Sequence, residues 1–188
     1  SKIDYDYVLD SWQSAQNKVL RDKHKNLFIF PLTRNTEREN KYKWISKLYT
    51  AKLVFVTKNP NEPLNSLANA KNRKIGVLEH SSFKTTLDNA SIKTLAEHEI
   101  LKNFEDLKQE KIYGWYHPLI EIKAIIQAQK ENPEDYSFGD KIDAEEIYLA
   151  TANSTSDDVV IEVTNAIEKF KKTSQYKVLI NKHPEMNQ

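Results

Sequence analysis

The chain of 188 residues contains no cysteine. It therefore has no disulfides, no thiolate ligands for zinc or iron–sulfur clusters and no cysteine nucleophile. Glycine is scarce as well, since only Gly76, Gly114 and Gly139 occur. Three glycines this far apart cannot form the glycine-rich phosphate loops of dinucleotide-binding or P-loop proteins. These absences remove several common cofactor sites, and we expect the protein to use no cofactor.

An excess of charge of one sign is also missing, because 28 Lys and Arg stand against 27 Asp and Glu, for a net charge of +1. So balanced a chain lacks the strong field of a protein that grips nucleic acid or an anionic membrane. No apolar run approaches the roughly 20 residues of a membrane-spanning helix. With 39% hydrophobic residues, enough apolar side chains are present to build a core. We expect a folded protein that does not bind nucleic acid.

Short apolar runs alternate with segments of helical periodicity along the chain. This alternation is typical of an α/β protein with mostly parallel sheets flanked by helices. The run LFIFPL at 27–32 is apolar throughout, as expected of a strand buried on both faces. The predicted strands are 3–9, 27–32, 53–56, 74–78, 92–95, 111–116 and 147–150, and the predicted helices are 11–22, 64–70, 82–87, 99–109, 119–129 and a C-terminal helix beginning near 157.

The C-terminal helix has signals at both ends. Asp157 and Asp158 place negative charge in its first turn, where the helix dipole favours it. Lys169, Lys171 and Lys172 fall in its last turn, where the dipole favours positive charge. We interpret these lysines as a solvated helix end and not as a basic patch, because the dipole alone justifies them.

The segment NPNEP at 59–63 is the strongest signal for a break in regular secondary structure, with two prolines and two asparagines in five residues. Such clusters mark turns and linkers. We place a lobe boundary there. Residues 1–58 and 145–188 are predicted to form one discontinuous lobe, and residues 59–144 a second lobe.

Catalytic and metal-binding patterns are weak. The five histidines are scattered and form no HxH or HxxxH pair with a third ligand nearby, so no metal site is predicted. Adjacent acids such as Glu145 and Glu146 do not face each other on a helix, and we interpret them as solvated surface. No GxSxG nucleophile motif is present. The sequence therefore favours binding over catalysis.

One polar stretch, PLTRNTERENKYKW at 31–44, follows directly on a predicted buried strand. The carboxyl ends of parallel strands are where α/β proteins bind ligands. Arg38 offers a planar fork of donors suited to a carboxylate, and Thr33 adds a hydroxyl. The alternative interpretation is an ordinary polar loop in which Arg38 pairs with Glu37, Glu39 or another surface acid. Spacing alone leaves both interpretations open.

Four segments in order resemble the family-3 extracellular solute-binding proteins, the ligand-capturing components of polar amino acid importers driven by ATP hydrolysis. Thr33 to Glu39, followed by WISKLY at 44–49, is similar to that family's T-x-[TS]-x-x-R-E segment and the aromatic region after it. RKIGVLEHSS at 73–82 is similar to the opening strand and serine turn of its second lobe. LKQEKIYGWY at 107–116 and YLATANSTSDDVV at 148–160 resemble later family segments. The resemblance covers nearly the whole chain.

This resemblance implies a bilobal type II periplasmic-binding fold with a solute in the cleft between its lobes. Arg38 would clamp the carboxylate of the solute and Thr33 would add a hydroxyl. Ser81 and Ser82 would offer hydroxyl and backbone N–H groups at a helix N-terminus. Simple helix capping by these serines is the alternative, and it is compatible with solute binding.

Two departures from the family pattern affect the expected ligand. Tyr113 stands at the usual aspartate, and His117–Pro118 stand where a second acid is expected. Glu121 is the nearest carboxylate. A plain organic acid, or a solute that stacks on Trp115 or Tyr116, is therefore open beside an amino acid.

A further departure concerns the first lobe, which lacks the opening strand and helix of the family pattern. The resemblance thus implies an N-terminally truncated lobe 1 with an exposed sheet edge near residues 3–8 or 27–32. Such an edge favours pairing with another molecule, so self-association is possible.

The function implied by the resemblance is capture of a small polar solute, an amino acid or a related carboxylate, in the periplasm. The partner would be the membrane permease of an ABC importer, and the protein would not be an enzyme. A sensory ligand-binding module of a membrane receptor, with the same fold, is the first alternative. A dehydratase-type enzyme on this scaffold is the weaker one, because Tyr113 and Pro118 occupy the positions of its acids.

Overall fold

Seven strands and seven α-helices are present in the computed structural model, which describes residues 3–22 and 26–186. The strands are β1 (Phe28–Thr33), β2 (Tyr42–Lys58), β3 (Ile75–Leu78), β4 (Thr94–Glu97), β5 (Gly114–Pro118), β6 (Tyr136–Phe138) and β7 (Asp143–Ala152). The helices are α1 (Trp12–Leu20), α2 (Leu67–Ala70), α3 (Ser82–Asn89), α4 (Ile100–Lys108), α5 (Leu119–Ala128), α6 (Asp157–Lys171) and α7 (Ser174–Lys182). Two short 3-10 helices span Pro133–Asp135 and Pro184–Met186.

The chain divides into two compact units. The first consists of Ser1–Thr50 and Glu145–Gln188. Its strands are β1 paired antiparallel with β7, and β7 in turn lies beside β2. Helix α1 contacts β1, and Val19 on this helix joins Ile29 and Leu32 of β1 in a small buried core.

The second unit is the continuous segment Ala51–Ala144. The second half of β2 pairs antiparallel with β5 and β6, whereas β3 pairs parallel with both β4 and β5. Leu53 and Phe55 of β2 belong to one buried cluster, and Val54 and Val56 belong to another. Because successive strand residues point to opposite faces, each face of this part of the sheet has its own core.

Strand directions differ from the prediction of mostly parallel sheets. The mixture of antiparallel pairs around β1, β2 and β7 with parallel pairs around β3 arises because an apolar run reports burial but not the direction of its neighbour. In β1, moreover, Phe30 is half exposed, so the run at 27–32 is not buried on both faces. Residues 3–9 form no strand and are almost entirely exposed.

The lengths of several elements also differ from the prediction. β2 has 17 residues and includes the aromatic segment at 44–49, which the sequence had left outside any strand. β6 and α7 were not predicted. The division between the units falls between Thr50 and Ala51, inside β2, whereas the sequence placed a boundary at 59–63. Those residues form a turn after β2, where the Asn59 side chain donates to the carbonyl of Glu134 at 2.7 Å.

No helix within the described residues is long and apolar enough to cross a membrane.

Candidate functional site

The loop that follows β1 carries the two residues predicted to bind a carboxylate. The Thr33 hydroxyl donates to Glu145 Oε2 at 2.6 Å, and both residues belong to the first unit. One guanidinium nitrogen of Arg38, Nη1, donates to the Thr33 carbonyl at 3.3 Å. The loop turns back through Asn35, whose side-chain oxygen accepts from the Arg38 amide at 3.0 Å. The structure thus brings Thr33 and Arg38 together.

Arg38 is a buried cation. The residue is only 7% exposed, and its guanidinium lies over the ring of Trp12 at 5.8 Å from the ring centroid. Burial lowers the pKa of Arg38, while Tyr42, Glu145 and Glu37 act in the opposite direction. An arginine nevertheless stays protonated in proteins. A buried positive charge just after the end of β1 is well suited to an anionic group of a small molecule.

A second arginine fixes the same loop from the outside. Arg34 donates to both carboxylate oxygens of Glu39, at 2.9 and 2.5 Å. Its guanidinium lies 5.4 Å from the ring centroid of Trp44 and 5.2 Å from that of Tyr148. The hydrogen bonds to Glu39 raise the pKa of Arg34. Glu39 is therefore the partner of Arg34, and the alternative pairing of Glu39 with Arg38 is not the one the structure contains.

Glu145 is the residue of this site that the sequence interpretation missed. Glu146 does lie on the surface, where it pairs with Lys47 at 2.6 Å. Glu145 instead is half-buried and accepts the hydrogen bond of Thr33, which is 112 residues away in sequence. Alternation along β7 was the available signal, because it places residue 145 on the face of the buried Ile147 and residue 146 on the other.

Ser81 and Ser82 lie in the second unit, at the start of α3. Ser81 is the N-cap: its hydroxyl oxygen accepts from the Lys84 amide at 3.2 Å and its hydroxyl donates to the Leu78 carbonyl at 2.6 Å. Ser82 is the first residue of the helix, and its carbonyl accepts from the Thr86 hydroxyl at 3.3 Å. The capping interpretation is thus confirmed for Ser81. A role for either serine in binding a solute stays a prediction.

Trp115 and Tyr116 are core residues of the second unit. Both are 0% exposed. Trp115 packs with Phe104 at a centroid distance of 6.4 Å, and Tyr116 packs with Phe55 at 4.8 Å. A ring on which a solute stacks needs an open face, and neither ring offers one here. Alternation along β5 sends the two side chains into opposite cores, which a string of aromatic residues does not reveal.

Buried His117 pairs with the partly exposed Glu121 at the end of β5. His117 Nε2 lies 2.9 Å from Glu121 Oε2, and the imidazole stacks on Trp115 at 4.6 Å between centroids. Phe83 of α3 packs against the same imidazole in an edge arrangement, at 5.4 Å between centroids. Glu121, the carboxylate nearest to His117–Pro118 in sequence, is therefore already hydrogen-bonded to a histidine. Within the described residues, no group of three or more His, Asp or Glu could hold a metal ion.

The chain is similar to known proteins in structure but not in sequence. No protein-family model matches the chain, and no curated protein matches its sequence. The structure is similar to that of an ancestral arginine-binding protein bound to arginine, with a TM-score of 0.81 at 15% identity over 94% of this chain and 79% of that one. It is also similar to a mutant of the arginine-binding protein ArgBP from T. maritima, with a TM-score of 0.80 at 17% identity over 93% of this chain and 75% of that one.

The chain has the type II periplasmic-binding fold. A third solved structure of this fold, the substrate-binding protein of an amino acid ABC transporter, matches with a TM-score of 0.76 at 18% identity, over 92% of this chain and 76% of that one. The predicted fold class is confirmed. About a quarter of the length of each of these type II proteins has no counterpart in the chain.

Proposed function

We propose that the protein is an extracytoplasmic solute-binding protein that captures a small carboxylate-bearing solute, most simply an amino acid, for an ABC-type importer. The observation that carries the proposal is the buried Arg38, whose guanidinium donates to the carbonyl of Thr33 at the end of β1. Support comes from the fold, which the chain shares with arginine-binding proteins and with an amino acid transporter component.

The chemistry of a carboxylate fits the first unit. The fork of Arg38 donates two parallel hydrogen bonds to a carboxylate, and such charge-assisted bonds are roughly twice as strong as neutral ones. The Thr33 hydroxyl donates to Glu145, and the Thr33 carbonyl accepts from the Arg38 guanidinium. A solute carboxylate would thus meet the Arg38 cation, and the Thr33 hydroxyl would have to turn away from Glu145 to donate to the solute as well.

Glu145 favours a solute that also carries a positive charge. Its carboxylate is close enough to Arg38 to oppose the lowering of that arginine's pKa by burial, so both signs of charge occur within one small region. An amino acid bears an ammonium group as well as a carboxylate and complements both residues. A plain organic acid complements Arg38 alone and would be opposed by Glu145. Ser81 and Ser82 remain predicted contributors from the second unit.

The role in transport follows from binding in proteins of this kind. A solute that binds one conformation more tightly shifts the protein toward that conformation. The permease of an importer would recognise this state, and the protein itself would perform no chemistry. Recovery of each bound solute unchanged after prolonged incubation, measured by proton NMR, is the expected result; a product would instead favour the enzyme alternative.

The test is isothermal titration calorimetry with a panel of amino acids, each matched to the organic acid that lacks the amino group. Arg38→Ala should weaken binding of every ligand by about a hundredfold, because a charge-assisted pair of hydrogen bonds is lost. Arg38→Lys, which keeps the charge without the planar fork, should lie in between. Glu145→Gln should weaken binding of the amino acids and strengthen binding of the organic acids, because it removes the negative charge that opposes them.

Lys41→Ala is the matched control, since Lys41 is an exposed residue of the same loop whose partner is Glu37. It should leave affinity unchanged. Far-UV circular dichroism of each variant separates loss of binding from loss of folding. Saturable binding that survives Arg38→Ala in a folded variant would remove Arg38 from the site and with it the proposed function.

A further inference from the structure

Two exposed segments of the first unit have opposite charge. Residues 3–10, IDYDYVLD, contain three aspartates and no lysine or arginine; we name them the acidic segment. Residues 169–183 contain five lysines and no acid. Neither segment fits the evenly balanced charge of the chain as a whole.

The acidic segment exposes much more apolar surface than a surface loop ordinarily does. Tyr5, Tyr7 and Val8 are each 71% exposed and Leu9 is 98% exposed. The segment is nevertheless held in one place, because Tyr7 packs edge-on against the exposed ring of Phe30 on β1 at 6.2 Å between centroids. Clustered apolar side chains rimmed by charge mark interaction surfaces.

The lysine-rich segment ends α6 and forms α7, and it too exposes apolar side chains. Phe170, Val178 and Leu179 are 43%, 55% and 42% exposed. Val178 and Lys182 are four residues apart on α7, so they lie on one face of that helix. Neither α6 nor α7 has a fully buried residue within its described part.

Four exposed lysines surround these apolar side chains. Only Lys171 of the five forms an ion pair among the described residues, with Glu168 at 2.7 Å. We define the basic face as the exposed lysines and exposed large apolar residues of this segment, which are Lys169, Phe170, Lys172, Lys177, Val178, Leu179 and Lys182. The helix dipole accounts for lysines at the end of α6, but it does not account for the exposed apolar side chains between them.

Backbone pairing at the sheet edge is a poor route to association for this molecule. β1 is the terminal strand of its sheet, but Pro31 in its middle has no N–H to donate. The pairing register of β1 also shifts between Ile29 and Leu32. Proline and irregular register are the features by which natural edge strands avoid pairing. The exposed side chains, and not the strand edge, are the surface available for contact.

We propose that the acidic segment of one molecule docks on the basic face of a second copy of this chain. The charges are complementary, and each surface supplies apolar side chains for a dry centre with charged groups around it. Because every molecule carries both surfaces, two copies exchange two such contacts when related by a two-fold axis. The contact contains no residue of the loop that holds Arg38.

The experiment is analytical ultracentrifugation of the full chain at several protein concentrations, in about 0.05 M and about 0.5 M NaCl. The wild type should associate, and high salt should weaken the association. Reversal of the basic face by Lys177→Glu with Lys182→Glu should weaken it at least about tenfold, because like charges then oppose each other. Asp4→Lys with Asp6→Lys should have the same effect from the other side.

Mixing the two charge-reversed variants is the decisive arm. Each variant alone opposes like charges, whereas in the mixture both contacts again join opposite charges. Association should therefore return in the mixture. Lys123→Glu with Lys130→Glu, at exposed lysines of the second unit, makes the same change in net charge and should leave association intact.

Several outcomes would overturn the proposal. A monomer at every concentration, association that the reversals leave unchanged, or a mixture that stays monomeric would each do so. Anionic lipid vesicles provide the remaining arm, since a basic helix face with apolar residues also suits a membrane surface. Binding of the monomeric wild type to vesicles that contain phosphatidylserine would assign the basic face to a membrane instead of a second copy.

Discussion

At Arg34, two aromatic rings and one carboxylate hold a single guanidinium, and the loop of Arg38 is closed as a result. The fork contacts both oxygens of Glu39, and Trp44 also donates its indole N–H to the Glu39 carbonyl at 3.3 Å. None of these groups is part of the proposed contact with a solute. They hold the loop that carries Arg38, the residue proposed to contact the solute.

Arg34→Ala should lower the free energy of unfolding by about 1 kcal/mol, because cation–π contacts and a bidentate ion pair at a half-exposed site are lost together. Urea denaturation measures this change. Lys41→Ala removes an exposed ion pair from the same loop and should change stability by less than about 0.5 kcal/mol. Equal effects of the two substitutions would show that stacking contributes nothing at Arg34.

Residue types alone predicted part of this site. Arg38 and Thr33 follow a strand that the apolar run identified, and the structure brings them together. Glu145 could not be assigned in the same way, because its contact with Thr33 depends on how β7 pairs with β1. Trp115 and Tyr116 were predicted to stack on a solute but lie in the cores of the second unit. Aromatic residues suited to stacking are equally suited to a core.

Among the elements, α4 contains the most buried acid. Asp106 is almost completely buried and bonds to Lys102 one turn earlier, while Lys111 Nζ lies 3.7 Å away. Burial on its own would raise the pKa of Asp106, but the hydrogen bond and charge of Lys102, aided by Lys111, hold that pKa below its ordinary value. The ionised form is therefore the one that the folded state favours.

Stability should depend on pH through Asp106. Because the folded-state pKa is lowered, the contribution is present above the unfolded-state pKa of about 4 and is lost as the pH falls below it. Asp106→Asn should lower the free energy of unfolding by about 1–2 kcal/mol at neutral pH and flatten its decline in acid. Urea denaturation between pH 7 and pH 3 measures both.

Asp88→Asn is the matched control, because Asp88 has the same four-residue spacing to Lys84 but is exposed. It should leave the acid decline unchanged. An Asp106→Asn variant that loses stability in acid as steeply as the wild type would contradict the assignment to Asp106.

Helices were predicted more accurately than strands in this chain. Ser11 caps α1 and Ser81 caps α3, and each cap requires only a neighbour three residues away in sequence. α7 was not predicted, and the absence of buried residues does not explain this, because the predicted α6 has none in its described part either. The prediction for residues 3–9 failed because a Tyr- and Val-rich run forms a strand only when a neighbouring strand is available to pair with it.

At the scale of the whole molecule, each unit has a core made only of its own residues. Both large buried clusters consist of residues between Leu53 and Tyr136, all in the second unit. The core of the first unit joins residues from the two ends of the chain, such as Val19 and Ala150. The second unit is thus continuous in sequence and the first is not.

A fragment of residues 51–144 should fold independently, with cooperative urea unfolding and a dispersed proton–nitrogen NMR spectrum. Its two cores are complete, whereas a fragment of residues 1–50 lacks the β7 partner of β1 and should be unfolded alone. The 1–50 fragment, expected to be unfolded, is the control for the 51–144 fragment. An unfolded 51–144 fragment would show that its cores need residues of the first unit.

The sequence by itself determined the local features: helix caps, the alternation of strands and helices, the cofactor chemistry excluded by missing cysteine and glycine, and the candidate Arg38. Each depends on residues close together in the chain. Only the tertiary structure decided that β1 runs antiparallel to β7, that Glu145 lies beside Thr33 and that Trp115 points into a core. These depend on strand register, and a shift of one residue would turn every side chain to the opposite face.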